Sequence, residues 1–600
     1  MSEPQDDPTS PIPPVSTDQL VRIGADGIWA AGPSVDPEAA NVGEALVAAL
    51  QDTEQRRALT AELQRLVTDV QAIATVGFPR ITAADGIGLS AFSIKLNADE
   101  PRPVVVIPSG WTPLGWMLFV YAYLQLAKRG YHVLAYTPRG IGLSVKGLGG
   151  GYLDSPWTSQ GTIDVAGPHD WSDGSTMIDY AQELFTPSRV AFLGVSYGSG
   201  ISQLVAAHDP AGRVDAVVAL STWGNLAAAL LGNGTRRLAA VNALMDFAGG
   251  PAERKFDPAT RQILRDFQNG ENLEDVRAWA AERSPESYLD LTNARGVPTF
   301  FSNTWHETLF PVNQVLDTFN ALTVPKHLNL WIGDHTAPEG AALTVPRSGP
   351  NLAVDEAFAW LDHHLLGVAN AVPDWPAVNS QVMFEPPVRE GRPSWPEAAT
   401  GTDRLYLAGA APGGQDGGLG PSPASGWTAS FTTGNLTEAT AVDAVATTGQ
   451  AEWRDEPKIY ETGKFDRRYL AAWTSSPGPR RIRGVPRVRL TVAGAGDAAT
   501  LVAYLFDLAA DGSATIITHE PYTLAADMAS GADPEEGAAG RPATVAWRLQ
   551  AAAYDIPADN RLMLVVSSRD QLYSDENPSF STLQISSAAG DESCLELPLG

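Results

Sequence analysis

One serine lies in a context that can make it a nucleophile. Residues 194–198 read Gly-Val-Ser-Tyr-Gly, with an apolar run at 190–193 before them and a helix-like segment at 197–208 after them. On a sharp strand-to-helix turn a serine hydroxyl stands above the sheet, and glycine fits the crowded flanking positions. The pattern is weak in a chain with 56 glycines. Its placement between a strand and a helix nevertheless predicts that Ser196 is a nucleophile.

A serine hydroxyl needs a base to take its proton. Around this kind of turn the partners follow in the order serine, acid, histidine, each after a later strand. Glu307 follows the apolar run 299–302, and His335 follows the run 327–332. We therefore predict a triad in which His335 is the general base and Glu307 fixes its tautomer.

Other residues compete for these roles. His306 neighbours Glu307 and is the rival base, although it follows the strand expected to supply the acid. Asp334 is adjacent to His335 and would struggle to reach its ring, and Asp317 lies in a helix-like segment. His169 lies in a loop and is left open as a substrate contact. The other histidines are set aside, namely His132, His208, His327, His363, His364 and His519.

A tetrahedral intermediate needs two hydrogen-bond donors for its oxyanion. The backbone N–H of Tyr197, directly after the serine, is the expected first donor. The second should come from the loop after the apolar run 104–107, where we predict Trp111, with Gly110 next to it as the alternative. A tryptophan there could instead form a pocket wall. Arg139, in a turn after the following strand, is expected to tie loops together.

The elements that must position these residues alternate along the chain. Short apolar runs are separated by helix-like segments, which is typical of a parallel sheet covered on both faces. The runs lie at 104–107, 131–136, 190–193, 217–220, 299–301 and 328–332, and the helix candidates at 116–128, 175–185, 197–208, 312–321 and 354–366. With the serine turn, this order predicts an α/β fold of the α/β-hydrolase type.

The chain of 600 residues is too long for one core, and its composition changes along its length. We predict a helical cap inserted after the strand near residue 220, because the next strand begins only near 299. After about residue 372 strand-like runs and Gly- and Pro-rich turns indicate an all-β jelly-roll sandwich. The expected boundaries are 1–18 for a disordered tail, 19–85 for an N-terminal helical segment, 86–220 and 296–371 for the catalytic domain, 221–295 for the cap and 372–600 for the sandwich.

Composition excludes several classes of protein. With 41 Lys and Arg against 69 Asp and Glu, the net charge is −28, which argues against a nucleic-acid partner. The one cysteine, Cys594, cannot form an intrachain disulfide. No secretory signal and no 18-residue apolar run are visible, so we expect a cytoplasmic protein without a membrane partner. No cofactor and no metal are predicted, because the histidines lack metal spacing and the glycines lack a phosphate-loop signature.

These motifs resemble those of the cocaine esterase and Xaa-Pro dipeptidyl-peptidase family. The resemblance rests on the Gly-Val-Ser-Tyr-Gly turn, the turn at 138–144, the Trp-His-Glu and Gly-Asp-His segments, and the strand-rich tail, and it covers residues 86–600. It implies a Ser-Asp-His triad that maps onto Ser196, Glu307 and His335, with glutamate in place of aspartate. The tyrosine that serves the family's oxyanion is here replaced by Ser109-Gly110-Trp111.

The predicted function is hydrolysis of a carboxylic ester through an acyl-serine intermediate. The alternatives are a peptidase or acylase that acts on an amide, acyl transfer in a biosynthetic pathway and, last, a non-catalytic scaffold. An aminopeptidase would need carboxylates for a substrate ammonium group, and the cap offers Asp246, Glu253 and Asp257. The expected partner is a small-molecule ester or amide, and homo-oligomerisation is left open.

Overall fold

The fold is described from a computed structural model. It describes residues 37–600 except 148–150, 348, 386–387, 410–415, 442–446, 495–497 and 526–541. The predicted disordered tail, 1–18, lies outside the described residues, as do residues 19–36 of the predicted N-terminal helical segment.

A twisted sheet forms the centre of the first half of the chain. The strands are β1 (Ala74–Gly77), β2 (Arg80–Thr82), β3 (Gly88–Leu96), β4 (Val104–Pro108), β5 (His132–Tyr136), β6 (Ser144–Lys146), β7 (Tyr152–Asp154), β8 (Val190–Val195), β9 (Ala216–Leu220), β10 (Thr299–Thr304), β11 (Lys326–Trp331), β12 (Val378–Gln381) and β13 (Arg389–Arg392). The sheet order is β1-β3-β5-β4-β8-β9-β10-β11-β12-β13, with β2 beside β3, while β6 and β7 pair separately. The strands from β5 to β12 pair in parallel, and the flanking strands pair antiparallel.

Both faces of this sheet are buried, which explains why its central strands are continuous apolar runs. Val104 and Val106 of β4 pack into one hydrophobic core, whereas Val105 and Ile107 pack into a second core on the opposite face. Helices cover both faces, as a parallel sheet requires. Those before the cap are α1 (Pro37–Gln51), α2 (Thr53–Arg56), α3 (Ala61–Ile73), α4 (Val120–Lys128), α5 (Pro168–Phe185) and α6 (Tyr197–His208).

The N-terminal segment differs from the prediction. Residues 37–51, 53–56 and 61–73 are helical, but β1 and β2 lie within the stretch predicted as helical up to residue 85. β1 pairs antiparallel with β3 and so extends the central sheet. Strands of four and three residues around Gly77 and Pro79 are too short to show a period of two.

Helices inserted between β9 and β10 form the predicted cap. They are α7 (Leu226–Leu231), α8 (Leu238–Asp246), α9 (Ala252–Lys255), α10 (Pro258–Asn269), α11 (Leu273–Glu282) and α12 (Leu289–Arg295). The cap is tied to the sheet by Lys255, whose buried ammonium donates to the carbonyls of Gly140 (2.9 Å) and Gly142. In the same turn Arg139 binds Asp173 at 2.6 and 2.8 Å and Asp85 at 2.9 Å, so it ties loops together as expected.

After the cap the chain returns to the sheet and then forms a β-rich unit. The remaining sheet helices are α13 (Val312–Ala321), α14 (Gly340–Thr344) and α15 (Leu352–Leu366). The β-rich unit contains β14 (Gly401–Ala408), β15 (Gly417–Gly420), β16 (Trp427–Thr432), α16 (Thr447–Trp453), β17 (Ile459–Glu461), β18 (Leu470–Ser475), β19 (Arg480–Gly484), β20 (Arg487–Ala493), β21 (Ala498–Leu508), β22 (Ser513–Ala525), β23 (Ala543–Arg548), β24 (Ala552–Ile556), β25 (Arg561–Ser567), β26 (Thr582–Ser587) and β27 (Cys594–Leu599).

Strand pairing places the transition between the two units after the predicted residue 372. β12 and β13 pair at the edge of the central sheet, so the β-rich unit begins with β14. Its described strands pair antiparallel except for β15 with β18. The predicted fold class is confirmed: an α/β-hydrolase domain with an inserted cap precedes an all-β domain. Among the helices described, none is long and apolar enough to cross a bilayer.

Candidate active site

Ser196 lies on the turn between β8 and α6, in a strained conformation with φ of 56° and ψ of −121°. The turn is crowded on both sides. A Cβ at Gly194 would lie 2.1 Å from the Gly198 carbonyl, and a Cβ at Gly198 would lie 2.2 Å from the Pro108 carbonyl oxygen. The two glycines of the motif are therefore required by close backbone contacts, and they allow the Ser196 hydroxyl to stand at the carboxyl end of the sheet.

The imidazole of His335 lies between the other two predicted residues. Its Nε2 is 2.8 Å from the Ser196 hydroxyl oxygen, and its Nδ1 is 3.0 Å from both carboxylate oxygens of Glu307. Because the carboxylate can only accept, Nδ1 carries the proton and Nε2 accepts from the serine hydroxyl. The structure thus brings Ser196, His335 and Glu307 into one hydrogen-bonded chain.

Burial and charge act against each other on His335, which is 3% exposed. Burial has the largest effect and lowers its pKa, but Glu307 together with the nearby Asp334 and Glu339 outweighs burial, so the pKa of His335 lies above its ordinary value. Glu307 is itself held in place, since one of its oxygens accepts from the backbone N–H groups of Leu309 (3.0 Å) and Phe310 (3.2 Å). The loop after β10 therefore fixes the direction from which the carboxylate meets the ring.

Two further carboxyl groups lie near this histidine. Asp334 accepts from the backbone N–H of Thr308 and of His335, both at 2.7 Å, so it braces the two loops. Burial and the nearby Glu307 charge raise the pKa of Asp334 to about 7. Glu339 is completely buried and lies 3.3 Å from the hydroxyl of Ser221. Asp334 binds the main chain of His335 and not its ring. Its contacts therefore do not support Asp334 as the rival acid of the triad.

The other candidates are engaged elsewhere. Asp317 pairs with Arg548 at 3.0 Å, and His306 binds Glu452 at 2.9 and 3.0 Å. His169 is largely exposed and lies 3.8 Å from Asp85. These contacts leave His335 as the histidine that meets Ser196 in the described residues.

The predicted oxyanion donors lie beside the serine. Neither the backbone N–H of Tyr197 nor that of Trp111 has a hydrogen-bond acceptor in the part of the chain that is described. The Trp111 indole donates to the Leu244 carbonyl at 2.8 Å, so only the backbone of this residue remains free to act as a donor. A Cβ at Gly110 would lie 4.0 Å from the Ser196 Cβ, so the Gly110–Trp111 loop runs directly past the nucleophile.

The side chain of Tyr197 is held by a buried hydrogen bond. Its hydroxyl donates to Asp170 at 2.5 Å, and both groups are fully buried. Asp170 also accepts from the backbone N–H of Ala166, at 2.9 Å, in a turn where Val165 and Ala166 both have φ of 56°. Burial raises the pKa of Asp170 well above its ordinary value. This network anchors the residue that follows the nucleophile.

An apolar cavity opens from Ser196 into the cap. Apart from the nucleophile and Tyr197, its lining side chains are aliphatic, aromatic or methionine, and in the described residues none of them is charged. They are Trp111, Val165, Trp223, Leu226, Leu230, Ala240, Val241, Leu244, Met245, Phe256, Ile263, Leu264, Phe267, Val276, Trp279, Leu309 and Phe310. The sequence predicted the cap but not these residues, because periodicity shows that a helix has an apolar face without showing whether core or cavity meets it.

The carboxylates proposed for an aminopeptidase lie outside this cavity. Asp246 and Glu253 are exposed, and Asp257 caps α10 by accepting from Ala259 at 2.8 Å and Thr260 at 3.2 Å. Within the residues that the structure covers, no group of three or more His, Cys, Asp or Glu side chains could hold a metal ion. The arrangement can therefore carry acyl-transfer chemistry on apolar acyl or alkyl groups.

Both halves of the chain match models of known protein families. Residues 85–337 match the model of the X-Pro dipeptidyl-peptidase family S15, and residues 370–590 match that of the X-Pro dipeptidyl-peptidase C-terminal non-catalytic domain. A comparison with curated protein sequences gives no match.

Several solved structures share the fold over most of the chain. A CocE/NonD family hydrolase from Staphylococcus aureus is 13% identical with a TM-score of 0.64, and the match covers 88% of this chain and 94% of that one. An α-amino acid ester hydrolase is 15% identical with a TM-score of 0.65, and the match covers 88% of this chain and 97% of that one. An aminopeptidase from a marine sediment archaeon, Thaumarchaeota archaeon, is 17% identical with a TM-score of 0.62, and the match covers 87% of this chain and 96% of that one. The expected resemblance is confirmed: residues 85–337 belong to the X-Pro dipeptidyl-peptidase S15 family of serine hydrolases, and residues 370–590 form the C-terminal domain typical of its X-Pro dipeptidyl-peptidases.

Proposed function

We propose that this protein hydrolyses carboxylic esters of neutral, apolar acids through an acyl intermediate on Ser196. The observation that carries the proposal is the buried chain from Ser196 through His335 to Glu307, which opens directly into an apolar cavity. Each link lies within hydrogen-bond reach, which is the first requirement for a nucleophile and its base.

The reaction follows from the arrangement. His335 takes the proton of Ser196 as the hydroxyl oxygen attacks the ester carbonyl, and the Glu307 carboxylate stabilises the imidazolium that forms. The carbonyl oxygen becomes an oxyanion, which the backbone N–H groups of Tyr197 and of Trp111 or Gly110 are placed to stabilise. His335 then protonates the leaving alcohol. Water, activated by the same imidazole, releases the acid from the acyl-serine.

The lack of charged side chains among the residues that line the cavity favours neutral esters over an N-terminal peptide. An ammonium group moved from water into a cavity without a carboxylate loses its hydration and gains no partner, which costs several kcal/mol. The residues that line the cavity offer no such carboxylate, and Asp257 is engaged as a helix cap. An apolar group that is buried in this cavity instead stabilises the bound state by roughly 25 cal/mol for each Å² removed from water.

A fluorophosphonate probe tests the nucleophile. We expect the native protein to be labelled once per chain and Ser196→Ala to be unlabelled, because the probe reacts only with an activated hydroxyl. Ser202→Ala is the matched control, since Ser202 is buried six residues later on α6 and donates to the Gly198 carbonyl. Intact-mass measurement reads the result. Equal labelling of native protein and Ser196→Ala would refute the assignment.

A matched pair of aryl esters tests the substrate class. We expect kcat/KM for a hexanoyl ester to exceed that for its 2-ammonio analogue by about 100-fold, because only the latter must bury an unpaired charge. Release of the phenol is measured for both, with an Xaa-Pro anilide alongside. Preference for the ammonio ester would contradict the neutral, apolar acyl group, and turnover of the anilide alone would show that the amide-cleaving alternative is correct.

The same assay shows whether the acyl group enters the cap. Val241 lines the cavity, and its neighbour Asn242 is exposed. Val241→Phe should lower kcat/KM for the hexanoyl ester about 10-fold and leave the acetyl ester unchanged, whereas Asn242→Phe should affect neither. Equal loss on both esters in Val241→Phe would contradict acyl binding in this cavity.

The pH dependence of hydrolysis tests His335 as the base. The neutral imidazole is the active form, and the pKa of His335 is raised above the ordinary 6.5, so activity should be present above that raised pKa and fall below it. We expect the acid limb of kcat/KM to have its midpoint above about 6.5. A profile that is flat down to pH 4 would contradict a histidine base.

A further inference from the structure

The helix α16 of the β-rich domain lies against the loop that carries His335. The side-chain amide of Gln450 donates to the His335 carbonyl oxygen at 3.0 Å. The helix approaches so closely that a Cβ at Gly449 would lie 2.2 Å from the Asp334 Cβ and 2.5 Å from its backbone nitrogen. Only glycine fits this contact, and it lets the helix reach the main chain of the histidine loop.

The same helix also holds the loop that carries Glu307. Glu452 accepts from Nδ1 of His306, the residue directly before Glu307, and Nε2 of His306 lies 3.0 Å from the Ile517 carbonyl oxygen of the β-rich domain. Both partners can only accept, so both ring nitrogens of His306 donate and the ring is an imidazolium. Burial lowers the pKa of His306, but Glu452 together with the Ile517 carbonyl and Asp334 outweighs burial, so the pKa is raised.

A third contact joins the β-rich domain to the end of the loop that carries Glu307. Asn313, at the start of α13, donates to the Leu549 carbonyl at 2.8 Å and accepts from the Ala551 backbone N–H at 3.0 Å. The acid loop therefore meets the β-rich domain at both ends, through His306 and through Asn313. The histidine loop meets the same domain through Gln450.

We infer that α16 positions the active site, with Gln450 fixing the main chain of His335 and Glu452, through His306, fixing the loop that presents Glu307. The inference rests on the proposed function. Both are positioning residues, since their contacts are with His335 O and the His306 ring. The domain that supplies no reacting group thus sets the distance between acid and base, where a displacement of about 1 Å can lower the rate about 100-fold.

Point variants of α16 separate positioning from simple domain packing. Gln450→Met keeps the length of the side chain and removes the donor, and Glu452→Gln keeps the shape and removes the charge that balances His306. Gln450→Lys restores a donor, and Glu452→Asp restores the charge. Arg467→Met is the matched control, because Arg467 makes its bonds to Asp416, Thr462 and Phe465 within the β-rich domain.

Hydrolysis of a neutral aryl ester is measured for each full-length variant, with active sites titrated by fluorophosphonate and thermal midpoints recorded. We expect kcat per titrated site to fall about 10-fold in Gln450→Met and Glu452→Gln with KM within about twofold, and to recover partly in Gln450→Lys and Glu452→Asp. Arg467→Met should lower the thermal midpoint and leave kcat per site unchanged.

The inference would be overturned if kcat per site is unchanged in Gln450→Met and Glu452→Gln while their thermal midpoints fall as in Arg467→Met. The helix α16 would then contribute only to the packing between the domains. If Glu452→Gln fails to fold, the two variants of the half-buried Gln450, Gln450→Met and Gln450→Lys, decide the question alone. A native protein that is titrated by the probe but does not hydrolyse esters would refute the proposed function instead, and that result is read before any variant is made.

Discussion

A hydroxyl can attack a carbonyl only if a base takes its proton at the moment of attack, and this requirement fixes distances to a few tenths of an ångström. In this protein the hydroxyl, the imidazole and the carboxylate come from three loops that are far apart in sequence. A parallel sheet solves the problem, because the carboxyl ends of β8, β10 and β11 lie at one edge. The glycines around Ser196 and the buried cores on both faces serve to hold that edge rigid.

The second constraint is electrostatic. His335 is buried beside the Glu307 carboxylate, with Asp334 and Glu339 close by, and the charge of Glu307 contributes to the raised pKa of His335. This charge favours the imidazolium of the proposed transition state, and the cap that closes over the serine strengthens the effect by excluding water. Side chains of the cap also line the apolar cavity, so in the proposed function one structural element both strengthens the base and selects the substrate.

The sequence predicted those features that local pattern controls. The helices 197–208 and 312–321 have the predicted bounds, since a glycine turn and a proline mark their starts. The sheet was predictable because its strands are buried on both faces. The short strands β1 and β2, and the placement of β12 and β13 in the central sheet, depend on pairing with distant strands and leave no periodic signal.

Within the site, residue type and chain order were enough to nominate Ser196, Glu307 and His335. The contacts of Gln450 and Glu452 could not be predicted, because nothing in their local sequence shows that a helix of the second domain meets the histidine loop. The indole of Trp111 was similarly ambiguous until its bond to Leu244 was seen. Contacts between distant segments are what the sequence pattern does not encode locally.

A crystal structure of the protein after reaction with a hexylphosphonate ester tests the central claim most directly. The account predicts phosphorus bonded to the Ser196 oxygen, the phosphoryl oxygen within about 3 Å of the Tyr197 N–H and of a second N–H from Gly110 or Trp111, and the hexyl chain in the cap cavity. His335 should remain between the adduct and Glu307. An adduct on another residue, or a phosphoryl oxygen that points away from both N–H groups, would contradict it.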